Sequence, residues 1–259
     1  MLTVDAWSGA SGGDLRLEAR TLTIHDGGAI DVSGKGYRGG LSCNVNEQCS
    51  WQGESLGVPG MQAMTPNGGG GGGGMASSKF GSIGGGGGGY GSAGSPSCPN
   101  TYLGVRVGGV GGTACPTSVA LLEEAIHMGA GGGGGSGLSG SAGGCGGCGG
   151  GSLFLTCERL INRGTILCNG SAGGNGTGNY SSGGGGGSGG AIRLIAKDLD
   201  IVGTIRAVGG PGGSPGPEDT AQPGASSGGG KGGDGRISVA LFGPNNKLDS
   251  AADIAPAPI

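Results

Sequence analysis

The sequence predicts a mainly β protein: stacked β-hairpin repeats joined to glycine-rich extended helices of the polyglycine type, with at most one short α-helix. Three observations carry that expectation. Glycine supplies 75 of 259 residues and falls in runs, at 68–74, 84–89, 131–135 and 183–187. Leu, Ile, Val and Phe are too sparse for a conventional globule, yet a formal net charge of −3 and 12% charged residues are unlike a charged disordered tail. Short apolar segments of one repeating pattern separate the glycine runs. Fixing a backbone costs about 1–2 kcal/mol per residue, so ordered glycine runs need partners for their amides and carbonyls. Threefold extended helices make no internal hydrogen bonds, and packed side by side they bond laterally.

The repeats follow in order. Residues 11–40 form the first, 149–176 the second and 188–213 the third, while 232–243 carries only the first half. Each full copy reads as glycine run, alternating strand, turn, alternating strand, glycine run. A period of two puts Leu15, Leu17, Ala19, Ile30 and Val32 on one face of the first copy. The matching sets are Leu153, Leu155, Cys157, Ile166 and Cys168, then Ile192, Leu194, Ala196, Ile205 and Ala207. Arg16, Glu18, Arg193 and Arg206 lie on the opposite faces. One such hairpin is marginal in water, and stacking several buries a continuous thin core. Residues 41–144 form a glycine-rich insertion with cysteine loops. They include the helix candidate Ser118–Met128, with Ser118 as N-cap and glycine after Met128. Residues 255–259 read as an extended tail, and the whole as one elongated repeat domain spanning 1–259.

Composition narrows the function. No basic patch and few aromatics argue against nucleic-acid binding. No apolar stretch is long enough for a membrane span. Residues 1–20 lack a signal-peptide pattern, so the chain reads as a processed piece, a trimmed segment or a virion protein. Eight cysteines are an even count beside a weak core, which points to staples in an oxidising compartment. Loop spacing predicts Cys43–Cys49 and Cys98–Cys115. Equivalent inward positions on two hairpin arms predict Cys157–Cys168, leaving Cys145–Cys148 by elimination. The Cys145-Gly-Gly-Cys148 motif lacks the second close pair of a zinc site and the helix start of a redox site.

The pattern SGG–apolar strand–GTIxAxGG, with IDVSGKGYRGG and GGGGGYGSAG, resembles glycine-rich repeats of large secreted and cell-surface proteins. That resemblance covers most of the chain and implies a β-rich, extracellular, adhesin-like or structural module. The cysteines depart from the cysteine-poor bacterial versions. A looser similarity is to the glycine-rich tips of phage tail fibres.

Chemistry is thinly signalled. The many GxGxxG matches open no helix after a strand, Lys231 precedes Gly232 where a P-loop needs Ser or Thr, and 229–234 is a lone partial match to a calcium repeat. His25, His127 and the Glu123-Glu124 pair have no sequence-adjacent nucleophile. No catalytic residue, cofactor or metal ligand is expected, and no enzyme. Asn169, Asn175 and Asn179 head three sequons. The leading expectation is a structural subunit of an extracellular filament, sheath or surface layer, polymerising head to tail with the tail as donor strand. The alternative is an adhesin that displays 41–144 to a receptor or glycan, with Trp51, Tyr90 and Tyr102 facing the ligand.

Overall fold

In the computed structural model, the described residues are 1–44, 48–77, 81–101, 108–115, 126–138, 140–217, 224–243, 246–248 and 252–258. They are mainly strand and extended chain. Eleven strands run in chain order: β1 (Asp14–Ile24), β2 (Ala29–Asp31), β3 (Ala76–Ser77), β4 (Gly81–Ser82), β5 (Ser152–Asn162), β6 (Thr165–Leu167), β7 (Ala191–Ile201), β8 (Thr204–Arg206), β9 (Arg236–Leu241), β10 (Asn246–Leu248) and β11 (Asp253–Ala255). No helix among the described residues is long and apolar enough to cross a membrane. Residues 116–125 of the helix candidate lie outside them, and Ile126–Met128 are not helical.

The two arms of each repeat do not pair with one another, which corrects the hairpin expectation. β1, β5, β7 and the successive β9 and β10 form one parallel sheet, while β2, β6, β8 and β11 form a second. Parallel neighbours need a long crossover, and the glycine-rich segments supply it, returning each copy to start in the same direction as the last. The register stacks like on like. Leu17, Leu155, Leu194 and Val239 form one rung-to-rung column, and Ile30, Ile166, Ile205 and Ile254 another. Leu153, Leu155, Ile166, Leu194 and Ile205 are at most 1% exposed. On the outer face, Arg16 and Arg193 lie over the Phe154 ring at 5.6 and 5.8 Å.

The long strands change phase halfway. Pairing skips Arg20, Glu158 and Lys197, and Glu158 and Arg159 are exposed in succession. Beyond that step the inward positions become Leu22, Leu160 and Leu199, then Ile24, Asn162 and Ile201. An extra residue of this kind bends a strand, which wraps it around the core.

Both ends of the small sheet are extended by the chain's own termini. Leu2 bridges Ile30 in parallel, its amide donating to Ala29 O at 2.8 Å. β11 pairs with β8 through Ile254 and Ile205. β11, which ends at the first residue of the segment 255–259 expected as an extended tail, thus supplies a second strand for the fourth copy, of which the sequence showed only the first half at 232–243. Among the described residues, β1 has a strand partner only on its β5 side.

The glycine runs leave the sheets as a bundle whose hydrogen bonds repeat every third residue. Gly183, Gly186 and Gly189 donate to Ser227, Gly230 and Gly233. Gly184, Gly187 and Gly190 donate to Gly174, Ser171 and Cys168. Ser182, Gly185 and Ser188 donate to Ser136, Gly133 and Ala130, all nine bonds at 2.7–3.0 Å. The same segment accepts from Gly85 and Gly88, from Gly144, Gly147 and Gly150, and from Gly210 and Gly213. Six neighbours thus surround 182–190. At Gly185 an added Cβ would fall 2.0 Å from Gly86 O. Close approach of backbones, rather than an unusual dihedral, requires glycine there.

Candidate functional site: the distal connections

With the strands at one end of the bundle, the opposite end gathers the described parts of six connections: 42–44 with 48–50, 75–77 with 81–82, 98–101 with 108, 137–138 with 140–143, 175–181, and 214–217 with 224–226. Backbone hydrogen bonds tie their described parts together. Leu138 N donates to Tyr180 O at 3.1 Å, Gly216 N to Ser181 O at 2.9 Å, Ser82 N to Ala225 O at 2.9 Å and Gly137 N to Cys43 O at 2.8 Å. The Asn100 amide donates to Ser82 O and Ala225 O at 2.9 and 3.1 Å, and Asn100 is fully buried. Tyr180, at φ 59°, is the one non-glycine positive-φ residue among those described.

Beneath the connections lies a layer of buried serines that sequence reading missed. Ser50, Ser82, Ser136 and Ser182 are 0% exposed and Ser227 3%. Ser182 and Ser82 share a hydroxyl–hydroxyl bond at 2.8 Å, and Ser182 Oγ also accepts from Ser227 N at 2.8 Å. Ser227 Oγ accepts from Gly84 N at 2.9 Å, and Ser136 Oγ from Ile83 N at 3.1 Å. Ser50 Oγ donates to Gly135 O at 2.9 Å while accepting from Cys43 N at 3.0 Å. A hydroxyl both donates and accepts, so each can satisfy backbone groups where a glycine run gives way to a turn. The available signal was the serine flanking so many runs.

The expected site residues scatter. Trp51 stands on the bundle flank, 40% exposed. Tyr90 is buried at the strand end under Arg236, whose guanidinium lies 5.2 Å from the ring centroid, and it lines a cavity of about 220 Å³ with Tyr37 and His127. Tyr102 lies outside the described residues. Asn175 and Asn179 are exposed in the distal connection 175–181, whereas Asn169 is half-buried nearer the strands, its Oδ1 accepting from Val208 N at 2.9 Å. His25 is exposed in the β1–β2 turn. His127 is half-buried, its amide donating to Tyr90 Oη at 3.3 Å, and burial lowers its pKa.

No disulfide joins any of the eight cysteines in this structure. Within one of the four expected pairs a thiol acts on its partner: burial, then Cys43, raises the Cys49 pKa. Cys145 and Cys148 lie on a segment whose Gly144, Gly147 and Gly150 bond successively to Ser182, Gly185 and Ser188. Three residues of such extended chain span about 9 Å, beyond the Cα separation a disulfide tolerates. Cys98 and Cys115 sit at opposite ends of an antiparallel pair in which Gly94 bonds Gly112 and Ser97 bonds Gly109, about 20 Å apart on the same rise. Cys157 lies between Ala19 and Ala196 in the large sheet, while Cys168 follows β6 and bonds Arg206 O and Gly190 N. Their arms are not a hairpin, so the cross-arm pairing loses its basis. Burial raises both thiol pKa values, that of Cys168 strongly.

No family model, curated protein or solved structure matches this chain. What the arrangement offers is a bundle that carries a hydrogen-bonded set of turns at one end.

Proposed function

We propose that this protein is a non-enzymatic binding module of an extracellular or virion surface, which presents its distal connections to a receptor. The observation that carries the reading is the convergence of six connections at one end of the bundle over a buried serine layer. Loops held on a rigid scaffold are where binding concentrates, and preordered loops lose less entropy on binding. In this reading the glycine runs are left-handed threefold helices of the polyglycine type. The solenoid-like sheets anchor them, and Cys43–Cys49 closes under oxidising conditions. The kinship expected with glycine-rich surface repeats and fibre tips belongs to the same proposal.

The test is saturable binding of labelled protein to intact cells. Combined Thr177→Ala and Asn179→Ala substitutions, both at exposed distal positions, should weaken it at least tenfold while leaving the far-UV spectrum unchanged. Equal binding by the variant would refute the reading. A structural-subunit role has one observation in its favour, the outer edge of β1, eleven residues long and without a second strand partner among the described residues, as strand addition needs. Concentration-dependent fibres in electron microscopy would favour that role, and discrete particles the binding module. Of the tail 255–259 expected as its donor, Ala255 is already paired within the chain, opposite Arg206 of β8.

A further inference from the structure

A second surface, on the flank of the bundle, has the makings of a ligand site. Segments 38–41 and 51–54 run antiparallel there, with Trp51 N donating to Leu41 O at 3.0 Å and Glu54 N to Arg38 O at 2.9 Å. The three-residue step that joins these bonds puts Arg38 and Leu41 on one face, and Trp51 and Glu54 beside them. Two adjoining clefts open over this floor. One, of about 370 Å³, is lined by Trp51, Leu41, Arg38, Glu54 and Pro59. The other, of about 310 Å³, is lined by Trp7, Val58 and the same Arg38, Glu54 and Pro59. Each volume falls in the range of small-molecule sites, about 300–1,000 Å³. The chain has two tryptophans, and one lines each cleft.

The side chains are held rather than loose. Arg38 engages both carboxylate oxygens of Glu54, through its guanidinium to Oε1 and its amide to Oε2 at 3.2 Å. Glu54 is 13% exposed and the Arg38 side chain 53%, so the guanidinium still offers donors to solvent. Trp7 packs edge-on against Tyr37 at 5.7 Å and 79°. Leu41 and Val58 stay 62% and 41% exposed at the two rims.

We propose that this double cleft binds a neutral oligosaccharide, with one sugar ring against each indole and the Arg38–Glu54 pair between them. An indole is a broad apolar face with a polar edge, which fits the C–H face of a pyranose. A guanidinium beside a carboxylate places donors next to acceptors, and a sugar hydroxyl is both. The Arg38 charge is already matched by Glu54, so an acidic sugar finds no uncompensated cation there, while the exposed guanidinium donors remain open to neutral hydroxyls. The site is separate from the distal connections and stands or falls independently of them.

Because the clefts contain both tryptophans, intrinsic fluorescence reports on them directly. The intact chain is titrated with tetrasaccharides of glucose, mannose, galactose and N-acetylglucosamine, with a galacturonic acid tetrasaccharide and a proline-rich decapeptide as comparisons. The expected result is a saturable shift with at least one neutral sugar. Trp51→Ala, at an exposed position, should weaken that binding at least tenfold with unchanged hydrogen exchange in the bundle. Arg38→Lys should weaken it severalfold, because the fork of donors is lost, and Thr177→Ala/Asn179→Ala should leave it intact. No saturable response up to 10 mM sugar, a response unchanged in Trp51→Ala, or saturation by the acidic sugar or the peptide instead would overturn the proposal.

Discussion

Replacing Gly185 with alanine sets one methyl group against the centre of the bundle. The new Cβ would sit 2.0 Å from Gly86 O and 2.4 Å from its carbonyl carbon, where real contacts almost never fall below 3.0 Å. The backbone around Gly86 must therefore move by about 1 Å or more. It is not free to do so, since Gly86 N is bonded to Gly72 O and Gly86 O to Gly133 N. Overpacking of this kind costs about 1–3 kcal/mol and more where neighbours are fixed. Gly228→Ala is the matched control, because its nearest atom would be Gly213 O at 3.4 Å, an ordinary contact. With no steric conflict, a Gly→Ala change stabilises by about 0.4–1 kcal/mol through the unfolded chain. Urea unfolding of the two variants beside the parent is the assay. The expectation is a lower midpoint, or loss of a cooperative transition, for Gly185→Ala and an equal or higher midpoint for Gly228→Ala. Equal midpoints would refute the claim that backbone contact, rather than flexibility, is what the runs need glycine for.

Other consequences can be measured on the same material. Ser182→Ala leaves the buried Ser227 amide without its acceptor, a loss of about 1–3 kcal/mol, and should speed hydrogen exchange in 224–228 before the strands. Leu194→Ala, fully buried, should cost about 2–5 kcal/mol and Leu17→Ala, half-buried in the end rung, clearly less in the same denaturant series. Under mild alkylation the exposed Cys98 and Cys145 should react first. Cys168 should react last, since burial raises its thiol pKa well above the ordinary value and leaves less thiolate; mass spectrometry after brief oxidation should find Cys43–Cys49 and neither Cys98–Cys115 nor Cys145–Cys148. Burial, then Asp14, pushes the Tyr37 phenol up to about 12 from about 10 when unfolded. Its contribution to stability is full below pH 10 and fades as pH rises through 12, a decline that Tyr37→Phe should flatten in pH-dependent unfolding.

Much of the core was legible because its code is local. Leu153, Leu155, Ile192, Leu194, Ile166 and Ile205 could be assigned inward from a period of two and an alignment by eye, and all are at most 1% exposed. The period broke at Glu158 and its equivalents, where one extra residue swaps the faces, so Leu160, Leu199 and Ile201 went unassigned. Pairing partners were not legible. Two strands joined by a short turn look like a hairpin, and only the crossover through the glycine bundle makes each pair with its copy instead. The second strand of the last copy escaped notice because β11 is separated from β9 along the chain. For the distal site, glycine runs hinted at a bundle, yet which turns meet at its far end depends on run directions that no run encodes by itself.

Native-state hydrogen exchange of the amides from 182 to 190 tests the central claim most directly. Neighbours on all sides with a three-residue period leave each of these nine amides bonded, so every one should exchange slowly and at a common rate set by opening of the whole bundle. An edge strand would protect alternate residues, and a solvated linker none. Alternating protection, or fast exchange throughout 182–190, would contradict the bundle and with it the rigid support on which the binding module depends.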